Sequence, residues 1–165
     1  MTDQRPLTEF EERILRNVQD HGCMVLTVFD PAGEQPDFSY SIGFPETAGQ
    51  PEVIVFSLPK SMRANMINEI WRQCTSEGLT LSDGKRISGL LDGFECIARR
   101  ITSPDAIREH FGSAIWYHRR QRQTELIEAY QIVWPGAHQG LFPWESGCIQ
   151  TVIDDQPALY SLSVH

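Results

Sequence analysis

The order of apolar and polar residues predicts one opening helix and then strands mixed with helices. Phe10, Ile14, Leu15 and Val18 recur at helical spacing and make one apolar face. Thr8 precedes them and Glu11 follows it by one turn, so the pair can close a capping box. Glu9, Glu11 and Glu12 fall in the first turn, where the helix dipole favours negative charge. His21-Gly22 ends the helix, with the glycine able to take a left-handed cap. Cys23 to Phe29 is apolar at nearly every position and predicts a strand buried on both faces. Asp30-Pro31-Ala32-Gly33 is a turn. From Asp37 to Gly43, Phe38, Tyr40 and Ile42 alternate with Ser39 and Ser41, which is the period of a strand. The two strands are expected to pair as an antiparallel hairpin. Phe44 to Gln50 reads as a loop, and Glu52 to Ser57 as a third strand.

The second half repeats these signals. Met62, Met66, Ile67, Ile70, Trp71 and Cys74 mark one face of a helix over Lys60 to Glu77, and Gly78 stops it. Leu79 to Ile87 reads as a short strand pair turning at Asp83-Gly84, with Ser88 to Gly93 as a connection. Phe94 to Ile101 is a strand. Ser103 and Pro104 form an N-cap and first helical position, and Ile107, Arg108 and Phe111 follow. That helix either continues past Gly112 to Glu128 or breaks there. Tyr130 to Trp134 is the last strong strand, Gly147 to Ile153 could add another, and the residues after Pro157 read as a tail.

The pattern predicts an α+β fold: a mixed or mainly antiparallel sheet of five to seven strands packed with two or three helices. With no repeat and no linker, residues 1–165 are expected to form one domain with a core over 8–153. The length is enough to bury a core without staples. A net charge of −8 disfavours nucleic acid as a partner. The first residues carry no basic and apolar signal, and Cys23 to Phe29 is too short to span a bilayer, so a cytoplasmic protein without a membrane partner is expected. Cys23, Cys74, Cys96 and Cys148 are widely spaced among apolar residues and read as free thiols in a reducing compartment.

Several stretches together resemble the bacterial domain-of-unknown-function family 4262. They are His21-Gly22 before a strand, Phe38-Ser39-Tyr40-Ser41-Ile42-Gly43-Phe44, and Pro51-Glu52-Val53-Ile54. The most specific is Gln131-Ile132-Val133-Trp134-Pro135 followed by Gly140-Leu141-Phe142-Pro143-Trp144-Glu145. The resemblance runs from His21 to Gly147. It implies a single soluble bacterial domain and no established activity. Family members often carry an aspartate after the Trp-Pro pair, where this chain has Gly136.

Candidate chemistry is sparse. No nucleophile elbow, zinc helix or phosphate loop occurs, so neither a cofactor nor a metal is expected. His138 and Glu145, carried on one loop, are the candidate catalytic acid–base pair. Tyr40, Trp134 and Trp144, with Glu52 beside them, are candidates to line an aromatic ligand pocket or simply to fill the core. Arg119 and Arg120 belong to a cluster of arginines that suits an anionic ligand or an acidic partner. The leading expectation is a binding or regulatory module for a small molecule or protein partner. A small hydrolase or transferase acting on an anionic molecule is the rival. A homo-oligomer using its aromatic surface as the interface is the third reading.

Overall fold

The structure, a computed structural model, describes residues 5–161. Thr8 caps the first helix, α1 (Glu9–His21), through a reciprocal capping box with Glu11, and Gly22 closes it in the left-handed conformation. The strands are β1 (Met24–Val28), β2 (Phe38–Ile42), β3 (Glu52–Phe56), β4 (Arg86–Leu91), β5 (Phe94–Ile101) and β6 (Ala129–Val133). The remaining helices are α2 (Phe44–Thr47), α3 (Lys60–Ser76), α4 (Pro104–His110), α5 (Gly112–Arg122) and α6 (Gln150–Asp154). The fold is α+β.

The strands form one sheet in the order β1-β2-β3-β6-β5-β4. Only β3 and β6 pair in parallel; every other neighbouring pair is antiparallel. The central parallel pair is buried at every position, as strands covered on both faces must be. One face holds Val53, Val55, Cys96, Ala98, Tyr130, Ile132 and Trp134 under Met66, Ile67 and Ile70 of α3. The other holds Tyr40, Ile42, Ile54, Phe56 and Ile101 under α1, α4 and α5. At the β5–β6 end of that second face, Ile97 and Val133 are covered by Phe142 and Tyr160.

Five expectations change. Cys23 to Phe29 does not bury both faces: β1 is an edge strand, half-buried along its length, because only β2 pairs with it among the described residues. The stretch Phe44 to Gln50 begins with a helical turn, α2. Leu79 to Lys85 contains no strand. The hairpin is β4–β5, turning at Asp92-Gly93. Gly147 to Ile153 is not a strand, and α6 occupies most of it. Of the two courses open to the third helix, the chain takes the break, and Phe111 closes α4 and opens α5. After Pro157, Leu159 donates its amide to Gln131 and Tyr160 is buried; residues 162–165 of the expected tail lie outside the described residues.

Candidate ligand-binding site

The Trp134 to Trp144 stretch divides between two places. Trp134 follows β6 and falls on the α3 face, where its Nε1 donates to the Phe56 carbonyl at 2.9 Å. Its own amide and carbonyl are both taken by the side chain of Gln156, at 3.0 and 2.9 Å. Trp144 stacks on Phe142 with ring centroids 5.2 Å apart and an angle of 6°. The Arg99 guanidinium lies 4.9 Å from the Trp144 centroid and 4.4 Å from that of Tyr160. A residue of the chain itself therefore occupies that aromatic surface. His138 is exposed on the intervening loop. Glu145 is exposed too, and its Oε1 accepts the Phe142 amide at 2.9 Å, as a turn cap does.

Tyr40 lies on the same sheet face as the Trp144 stack but far along it. The register aligns Tyr40, Ile54, Gln131 and Arg99 in one row across β2, β3, β6 and β5. Ile54 and Gln131 fill the interval, and Gln131 is tied to the C-terminal segment through Pro157 and Leu159. The Tyr40 hydroxyl accepts the Ser113 amide at 3.0 Å, which fastens β2 to the start of α5. Glu52, near Tyr40, is 1% exposed. Its Oε1 accepts from Ser41 Oγ at 2.7 Å and the Phe44 amide at 3.1 Å, and its Oε2 accepts the Gly43 amide at 2.8 Å. Burial pushes its pKa up to about 7 against the pull of those three donors. The carboxylate thereby holds the end of β2 and the first turn of α2.

A second buried charge was not anticipated. Arg63 donates Nε to Ser39 Oγ at 2.8 Å, and Nη1 to the carbonyls of Ser57 and Leu58 at 3.1 and 2.6 Å. Those two residues have φ of 56° and 61°, an uncommon conformation away from glycine, and the guanidinium ties down both carbonyls. The signal was present: Arg63 stands at the helical spacing of Met66, Ile67 and Ile70, inside the apolar stripe.

The arginine cluster leads to an open cavity. The helices α4 and α5, separated at buried Phe111, and residues 125–127 line a cleft of about 330 Å³. Its walls are Pro104, Ile107, Ile115, Leu126 and Ile127. Arg108, Arg119 and Glu125 supply its charges. Arg119 grips Glu125 with Nε and Nη2 at 2.8 and 2.9 Å, which holds the Glu125 carboxyl below its usual range. Arg108 pairs with Asp105 one turn earlier. Ile127 is 76% exposed, an unusual outlay for a large apolar side chain. Arg120 lies instead over the ring of Trp116, 5.9 Å from its centroid.

Behind the same Glu125–Ile127 segment is a cavity of about 270 Å³ that includes Pro45, Pro51, His118 and Arg122. Burial, with the Arg122 charge, lowers the pKa of His118. Its Nε2 shares a hydrogen bond with Thr124 Oγ1, and its buried Nδ1 has no partner among the described residues.

Of the side chains singled out in the sequence, the structure thus brings Tyr40 and Glu52 into one region and sets Arg119 on a cleft. Trp134, Trp144, Arg120, His138 and Glu145 lie elsewhere. Among comparisons with known proteins, residues 17–149 match the family described as a domain of unknown function (DUF4262). No curated protein and no solved structure matches.

Proposed function

The chain belongs to the domain-of-unknown-function family DUF4262, a membership that brings no activity with it, and we propose that it is a non-catalytic binding module whose ligand enters the cleft between α4 and α5. The observation that carries this reading is the cleft itself. Five apolar side chains wall a space at the small end of the range for ligand cavities, and a few polar groups stand at its rim. Ile127, so exposed at its mouth, gains from being covered. The aromatic stack is a weaker candidate, since Arg99 already lies against the rings of both Trp144 and Tyr160. The four free thiols support a reducing compartment such as the cytosol.

Amide-shift mapping by NMR with octanol, a neutral apolar probe, tests the location. The reading expects saturable shifts concentrated at Ile107, Ile115, Leu126 and Ile127. Shifts centred on the Trp144 stack, or none that saturate, would remove the cleft as the site.

A further inference from the structure

We infer that the ligand of the α4–α5 cleft is a small organic anion with an apolar body, its carboxylate or phosphate oxygens held by Arg108 and Arg119. The inference rests on the cleft being the binding site, and it adds the chemical class. Two guanidinium groups and one carboxylate line the cleft, so its lining is positive in a chain whose net charge is −8.

Both arginines are paired, but in ways a ligand can replace. The side chains of Arg119 and Glu125 are 58% and 64% exposed, and those of Arg108 and Asp105 are 64% and 80% exposed. Pairs so open to water are screened by solvent and hold only weakly. A ligand carboxylate offers Arg119 the same bidentate geometry that Glu125 now provides. It also brings a tail that Glu125 lacks, and the tail has Ile107, Ile115, Leu126 and Ile127 to cover. Exchange therefore keeps the charge-assisted hydrogen bonds and adds apolar burial. A cationic head would meet two guanidinium groups and is disfavoured by like charge. The neighbouring cavity does not share the feature, because its lining sets Arg122 against both Glu125 and Glu128.

Octanoate, octanol and octylamine share one tail and differ in the charge of the head, so titrating each into the protein below micellar concentration isolates the class. Octanoate is expected to bind about tenfold more tightly than octanol, the scale of a hydrogen bond to a charged group, and octylamine more weakly than either. Arg119→Gln and Arg108→Gln should erase the octanoate preference while octanol still binds. Glu125→Gln frees Arg119 and should tighten octanoate several-fold, a gain that damage to the fold would not produce. Equal binding of all three probes at the cleft amides would overturn the anion class and leave the cleft as the site. If no probe shifts those amides, the site itself is wrong, and the inference falls with it. Weaker octanoate binding to Glu125→Gln would also overturn the exchange.

Discussion

Trp134 and Trp144, ten positions apart, take part in packing on opposite faces of the sheet. Trp134 continues the alternation of β6, in which Tyr130 and Ile132 face α3, while Phe142 returns across the other face and carries Trp144 with it. The two rings therefore do different work. Truncating Trp134 to alanine opens a cavity in the main core and strands the Phe56 carbonyl, at a cost of about 3–5 kcal/mol. Trp144→Ala removes a ring that is 40% exposed and should cost about 1 kcal/mol. Urea unfolding of both variants measures the difference. Equal costs would show that the Trp144 stack is as integral to the core as Trp134.

Glu52 predicts an unusual pH dependence. Its folded pKa, about 7, lies above the ordinary 4.5, so across that interval the folded state binds more protons than the unfolded chain. Stability from this group is then fully present below 4.5 and is lost as pH rises toward 7. The loss over the interval is about 3 kcal/mol. His118 acts in the opposite sense, since its lowered pKa makes stability rise with pH. Carboxylates held low, such as Glu69 and Glu125, act at more acid pH. The clean readout is therefore the difference between the wild type and Glu52→Gln. Denaturant unfolding from pH 4.5 to 7.5 should show the wild type falling relative to the variant. Parallel profiles would mean that Glu52 stays ionised in the fold throughout.

Much of this fold could be read from the chain, and the failures have identifiable physical causes. The alternation of Phe38 to Ile42 fixes a strand, but nothing in it tells that Ser39 and Ser41 face buried partners and not water. Met24–Val28, apolar except at Thr27, looks like a central strand. Its edge position depends on which strands lie beside it, and that is decided far away in sequence. Two Asp-Gly dipeptides compete for one hairpin. Asp92-Gly93 makes the turn, while Asp83 spends its carboxylate on the Arg100 amide and on Arg99. The candidate site was half legible. The arginine cluster marks Arg119, but the cleft walls come from α4, α5 and the segment before β6, which share no local period.

Gly22 and Gly84 form a matched pair of controls. Both adopt positive φ, 91° and 87°. A side chain at Gly84 meets open space, whereas at Gly22 a Cβ would enter the ring of Trp71. That ring cannot swing aside freely, because its Nε1 donates to Thr47 Oγ1 at 2.9 Å and Thr47 in turn donates to the Gly22 carbonyl. Gly84→Ala should cost about 1 kcal/mol, the conformational penalty alone. Gly22→Ala should add overpacking to it and cost about 2–4 kcal/mol. Thermal melts of the two variants compare them directly, and equal shifts would show that Trp71 relaxes without penalty.

The thiols should react in an order set by burial. Burial pushes Cys23 and Cys96 up to about 12, with the Glu52 carboxylate adding to the effect at Cys23, and it pushes Cys74 up to about 11. Cys148 is only partly covered, and its thiol is raised less far. Because the thiolate is the reactive form, a disulfide reagent at pH 8 should label Cys148 first and Cys74 more slowly. Cys96 is 0% exposed and should label only as the chain unfolds, while Cys23, 7% exposed, should label more slowly than Cys74. Denaturation without reductant should then release four thiols per chain, as no pair is joined in the fold. Fast labelling of Cys96 in the native protein, traced by peptide mass, would show that the β4–β5 end of the sheet opens far more readily than its packing under α3 implies.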